Sequence, residues 1–173
     1  MDDETPSWLP DLILFENYKG NWNSYINAVY QHFHKDFVEG KPSFKKVPVF
    51  ARYHPPYEGK GATFWHLVSE GEQESERIPD LRRCERIRWP KPMLENVNSA
   101  GVKIWETTRP WKNQKQQRIN FSLNNFSYIV VIAKTRKGFD LVTAYHVEKP
   151  HRREKLRKEF DSFLGQKKEG SAV

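Results

Sequence analysis

Hydrophobic positions change their period several times along the chain. Trp22, Tyr25, Ile26, Val29, Tyr30, Phe33 and Phe37 recur at i, i+3, i+4 and i+7, which predicts a helix over 22–38 with a broad apolar stripe. Asn21 or Asn23 suits its start, and Gly40 and Pro42 end it. Residues 6–15 (PSWLPDLILF) form an apolar entry segment broken by Pro10, read as an arm that packs on the domain. Residues 47–53 (VPVFARY) predict a short strand near an edge because of Pro48, and 64–68 (FWHLV) predict another. Between them, 54–63 form a loop, and 69–76 (SEGEQESE) form an acidic mobile loop.

Further on, Pro79 suits the first position of a short helix over 80–86. Residues 90–100 contain two prolines and an Asn-Ser-Ala-Gly turn signal, while 102–107 (VKIWET) are strand-like. Residues 109–117 (RPWKNQKQQ) form a polar basic loop, and 118–123 (RINFSL) alternate as a strand with one wet face. Residues 128–133 (YIVVIA) are apolar throughout, as expected of a central strand buried on both faces. Lys137-Gly138 marks a turn, and 139–147 (FDLVTAYHV) return as the second arm of a hairpin. Pro150 opens a last helix with Leu156, Phe160, Phe163 and Leu164 on one stripe; Gly165 stops it and 166–173 form a flexible tail. The expected fold is therefore α+β: an N-terminal helix, a mostly antiparallel sheet of about four to six strands and a C-terminal helix.

Composition narrows the class. The 173 residues fit one domain, and 14% aromatic content argues against disorder despite a mean hydropathy of −0.85. No apolar run approaches the ~18 residues of a membrane helix. The lone Cys84 excludes an intrachain disulfide and fits a cytoplasmic protein. The acidic start Met1-Asp2-Asp3-Glu4 resembles neither a secretory signal nor a transit peptide. The net charge of +7 is unevenly spread: residues 1–76 hold 7 Lys/Arg against 12 Asp/Glu, residues 77–118 hold 11 against 4, and residues 119–173 hold 11 against 6. A basic field confined to the last two thirds favours a polyanionic partner, above all nucleic acid. Solubility alone is the plainer explanation of such lysines.

Candidate chemistry is sparse. His32 and His34 stand about 200° apart on a helix and cannot share one ion; no HExxH, CxxC, P-loop or dinucleotide motif occurs, so no metal and no cofactor is expected. Cys84 beside His66 is a candidate nucleophile, though an apolar role is commoner. His66, in FWHLVSEG, is a candidate proton-transfer group, against the plainer role of a packed histidine. Arg82, Arg83, Arg86 and Arg88, in RRCERIRW, are candidate phosphate ligands, against pairing with Glu85 or the acidic loop. Lys112 and Arg118 extend that candidate RNA-binding set. Thr143 and Tyr145 share one face of a strand, flanked by Leu141 and Val147, as a cleft wall or a hydrogen-bonded core feature; His146 points the other way. Trp89, Trp105 and Trp111 are candidates to stack on bases, although most tryptophans are core.

FWHL, RIPDLRRCERIRWPKPML and YIVVIAKTRKGFDLVTAYHVEKPHRREKL together resemble small phage- and plasmid-borne proteins grouped with the barnase, EndoU, colicin and RelE-type ribonucleases. The resemblance covers about residues 60–160. It implies an N-terminal helical part (1–55), a nuclease core (56–165) with a four-stranded antiparallel sheet, and metal-independent RNA cleavage in a cleft on that sheet. The catalytic set it implies is His66, Arg86 (or Arg83), Thr143 and Tyr145; it places no catalytic glutamate, and Glu85 is the nearest. The expected function is a cytoplasmic ribonuclease of toxin type, held by an antitoxin or immunity protein. The alternatives are an inert nucleic-acid-binding or adaptor protein of the same fold, and a structural or phage-associated protein whose charge serves assembly.

Overall fold

The apolar run at 128–133 forms β7 (Tyr128–Lys134), and the turn after it returns the chain as β8 (Phe139–His146). The computed structural model describes residues 5–98 and 101–170. Gly138 makes the β7–β8 turn possible: its φ is +147°, and a Cβ there would lie 2.5 Å from the Pro48 carbonyl oxygen. The two strands form the centre of a six-stranded sheet. β6 (Gln114–Leu123) and β5 (Val102–Trp111) extend it on one side, β2 (Val47–Phe50) and β1 (Ser43–Phe44) on the other. The order is β1-β2-β8-β7-β6-β5, antiparallel throughout except for the β2–β8 pair.

Both faces of the sheet are covered, which is why β7 is apolar at every position but its last. Tyr128, Val130 and Ile132 join the larger core with α1 (Trp22–His34), α2 (Ala62–Val68), α3 (Leu81–Glu85) and α4 (Pro90–Glu95). Ile129 and Val131 face the opposite way, into a smaller cluster with Trp105, Phe126 and Val147. Leu156, Phe160 and Phe163 of α5 (Pro150–Gly170) pack over that cluster, yet none of the 21 helix residues is itself buried. A side-chain bond from the Trp105 indole to Glu159 (2.8 Å) and another from Arg109 to the same carboxylate (3.0 Å) hold α5 to β5.

The first helix follows its stripe. Asn21 caps α1 by accepting from the Ser24 amide (3.0 Å), and Tyr25, Ile26, Val29 and Phe33 are buried. A π-helical turn at Lys35–Glu39 then brings Phe37 inward, where it stacks on Phe33 at 5.4 Å. The entry arm packs as expected: Leu9 and Ile13 are buried, and the Pro10 carbonyl accepts from the Trp89 indole (2.9 Å).

Several expectations are corrected. Residues 64–68 are not a strand but most of α2; Phe64, Leu67 and Val68 fit the i, i+3, i+4 pattern, and a five-residue segment with four apolar residues is ambiguous between the two periods. Residues 109–117 are not a loop but the far end of the β5–β6 hairpin, paired through Trp111↔Gln114 around a two-residue turn, Lys112-Asn113, at φ 43° and 57°. Their side chains are polar because both strands run past the helical cover. Pro90 opens α4 rather than a loop. Pro79 pairs with Ser69, between β3 (Ser69–Glu70), which opens the segment read as acidic loop, and β4 (Ile78–Pro79), which follows it, and Asp80 caps α3 instead. Gly165 does not stop α5, which runs to Gly170, so 166–170 are helical; residues 171–173, like Met1 to Glu4 and positions 99 and 100 of the Asn-Ser-Ala-Gly signal, lie outside the described residues. Gly165 keeps helical geometry with open space around it, at a cost of about 1 kcal/mol in an exposed helix.

Candidate functional site

β2 pairs with β8 only as far as Phe50↔Asp140, so α2 and α3 pack along the rest of β8 instead of another strand. Just beyond, Val142 is the extra residue of a bulge: Val131 faces Thr143 while Ile132 faces Leu141. The bulge puts Thr143 on the α5 side of the sheet with Tyr145 and Val147, and leaves Leu141 on the other side, correcting the expectation that all four share a face.

A cavity of about 460 Å³ opens at the bulge. His66 and Thr63 of α2 form one wall, and Thr143 and Val142 of β8 meet Arg118 and Gln116 of β6 across it. Arg52, Asp140 and Trp111 complete the rim. His66 is half-buried in the last turn of α2, and its carbonyl accepts from Arg77 (2.8 Å). Arg118 is half-buried and donates to the Gln116 side-chain carbonyl (2.8 Å). Burial, with a smaller contribution from nearby Arg109, lowers its pKa from the usual arginine value; it remains a cation at neutral pH. Arg52 donates twice to one Asp140 oxygen, at 3.1 and 3.0 Å, and its guanidinium lies 5.9 Å from the Trp111 ring. None of the ion pairs among the described residues involves Arg118.

The structure therefore brings His66, Thr143 and Arg118 together but places the other candidates elsewhere. Arg86 lines a separate cavity of about 170 Å³ with His146, Ser127 and Asn125. Its guanidinium lies over Trp89 at 5.2 Å and donates to the Arg82 carbonyl (3.0 Å) and Glu85 (3.3 Å), while its Nε is buried without a hydrogen-bond partner. Tyr145 stands under the Arg83 guanidinium, 5.1 Å from its ring centre, and packs on the smaller cluster. Burial and then Arg77 lower the Arg83 pKa. Arg82 pairs with Glu148, and Arg88 lies beside His32 and Asp36 of the first helical segment. Lys112 sits in the hairpin turn with its ammonium 4.4 Å from the centre of the Trp111 ring. The basic stretch 77–118 is thus divided among at least three places rather than aligned along one wall. Arg52, Gln116 and Asp140 are cavity residues that sequence reasoning missed. Arg52 and Asp140 are 88 positions apart and meet only because β2 runs parallel to β8, which leaves no local signal.

His146 gives the fold a pH dependence near neutrality. Burial, then Arg86, Arg153 and Arg82, lower its pKa from the ordinary 6.5, against a smaller opposing effect of Glu148. As pH falls through about 6.5 the unfolded chain binds a proton that the folded chain resists, so the native state loses stability on acidification. His32 acts in the same direction through burial, Arg88 and Lys35. Urea midpoints are expected to fall between pH ~7 and ~5, and to fall less in His146→Gln; an equally steep fall in the variant would remove His146 as the cause.

Cys84 is buried, and burial pushes its thiol up to about 12, so it supplies no thiolate at neutral pH. Among the described residues, no group of three or more His, Cys, Asp or Glu side chains is placed to hold a metal ion. No described helix is long and apolar enough to cross a membrane. Neither family models, curated proteins nor solved structures give a match to this chain.

Proposed function

We propose that the chain is a metal-independent endoribonuclease of toxin type, acting in the cavity beside the β8 bulge. The observation that carries this reading is the convergence of an imidazole, two guanidinium groups and a hydroxyl (His66, Arg52, Arg118 and Thr143) on one open cavity at the sheet. His66 moves the proton. The 2′-oxygen–phosphorus bond forms as the phosphorus–5′-oxygen bond breaks; the 2′-hydroxyl proton passes to the imidazole, and the imidazolium so formed gives a proton to the leaving 5′-oxygen. Arg118 and Arg52 stabilise charge on the phosphoryl oxygens, and Thr143 donates a hydrogen bond to the same group. Gln116 orients Arg118 through the bond already described. In this reading the phosphate role expected of Arg86 passes to Arg118 and Arg52. RNA as the partner, an antitoxin or immunity protein that restrains the activity, and cytoplasmic residence belong to the same proposal; the basic charge and the reduced, buried Cys84 support them.

The test is incubation of RNA with the protein in excess chelator. Fragments ending in 2′,3′-cyclic phosphate and 5′-hydroxyl are expected, with no cleavage of 2′-O-methyl RNA. Cleavage that stops in chelator overturns the proposed chemistry. RNA bound but left intact favours the inert binding protein.

A further inference from the structure

We infer that the far end of the β5–β6 hairpin is a track for single-stranded RNA, with Trp111 as the platform on which the base beside the scissile phosphate stacks. The inference rests on the ribonuclease reading and adds the form of its substrate. Three tryptophans suggested base stacking in the sequence, and burial separates them: Trp105 is 0% exposed and Trp89 6%, whereas Trp111 is 38% exposed. Trp111 closes β5 directly before the left-handed turn Lys112-Asn113, at the end of the sheet that α5 leaves open.

Trp111 also belongs to two cavities at once. It lines the His66 cavity and a second, open cavity of about 790 Å³, and Arg52 and Gln116 line both, so the two adjoin. The outer cavity gathers Lys115, Lys134 and Arg136 with Gln114, Gln117 and Thr135, and no carboxylate lines it. None of the ion pairs among the described residues uses Lys112, Lys115, Lys134 or Arg136. Arg52, by contrast, is held by Asp140, and Arg82 and Arg109 are each held by a glutamate. An indole with Lys112 and Arg52 at its ring (4.4 and 5.9 Å), beside Lys115, Lys134, Arg136 and amide side chains, is the chemistry of a polyanion whose repeat also carries a flat ring. A base must be unstacked to reach that ring, which selects single strands over duplex. An acidic protein would use the cations but would have no need of the indole face.

The experiment is fluorescence anisotropy with a labelled 2′-O-methyl oligonucleotide, which binds without being cut, single-stranded and as a duplex of equal length. Single strands are expected to bind the intact protein more tightly than duplex. Trp111→Ala is expected to weaken single-strand binding about 5- to 150-fold, the span of one stacked base, while Trp111→Phe stays within a few-fold of the parent. Changing Lys115, Lys134 and Arg136 together to alanine should reduce the slope of log affinity against log salt by about 2, from three lost phosphate contacts on a single strand. Unchanged affinity in Trp111→Ala, or equal affinity for duplex, overturns the track. Loss on Trp111→Phe equal to that on Trp111→Ala also counts against stacking. Cleavage of ordinary RNA separates the two readings: a protein that cuts RNA with normal single-strand affinity in Trp111→Ala sinks the track alone. One that binds single strands through Trp111 yet never cuts sinks the nuclease alone.

Discussion

Replacing His66 by alanine is expected to lower the rate of RNA cleavage about 100-fold or more, while affinity for uncleavable RNA stays nearly intact. The asymmetry is the diagnostic part. His66 lines the cavity together with Thr143 and two guanidinium groups that would hold phosphate without it. Removing the imidazole takes away the proton carrier and leaves the anion site. Arg118→Ala should instead harm both rate and binding, because its charge serves both. Arg86→Ala should leave the rate near the parent's, since Arg86 lines a different cavity with His146. Single-turnover rates with separately measured dissociation constants distinguish these outcomes. A His66→Ala protein that cuts RNA at the parent rate would eliminate the proposed site, whatever its affinity.

Phe33→Ala is expected to cost about 3–5 kcal/mol of folding stability. Phe33 is 3% exposed, stacks on Phe37 at 5.4 Å and meets the tilted ring of Phe64 at 5.5 Å, so its removal opens a void that both rings border. Small domains are stable by roughly 5–15 kcal/mol in total, so the variant would keep only part of its stability at 25 °C. Phe64 belongs to α2, two residues before His66, so loosening this seat also slackens the wall of the candidate site. Urea unfolding measures the loss directly, and Phe33→Leu should lose less because more of the volume remains filled. A shift below about 1 kcal/mol for Phe33→Ala would mean that the ring is not seated as described.

The parts of the fold legible in the sequence are those where one physical demand acts over many residues. The stripe of α1 repeats over four turns, and β7 is apolar at six successive positions because both faces are covered. Gly138 was readable as a turn because only glycine avoids the Pro48 carbonyl there. The candidate site was harder to read, for three different reasons. FWHLV is too short to separate a helix from a strand, and its placement in α2 changes which way His66 faces. The Val142 bulge adds one residue to β8, and a single added residue moves Leu141 to the face opposite Thr143; no residue type announces it. The Arg52–Asp140 pair depends on a parallel pairing between strands almost ninety positions apart, which only the assembled sheet creates. The basic segment 77–118 was legible as charge, but charge alone does not tell which arginines are occupied: Glu148 and Glu159 take up Arg82 and Arg109 from outside that segment.

The loose seating of α5 has a consequence for how the molecule opens and fails. Partial unfolding begins where little apolar surface is lost on opening, and a 21-residue helix with no buried residue meets that condition better than any strand of the central hairpin. Its departure would leave every strand pairing in place, but would uncover Trp105, Ile129, Val131 and Val147 as one contiguous apolar surface. Such surface is sticky in solution. The species that threatens this protein with aggregation is therefore a nearly native one, with the sheet intact and the last helix undocked, rather than the unfolded chain. Glu159, bridging Trp105 and Arg109, is the carboxylate that guards against it.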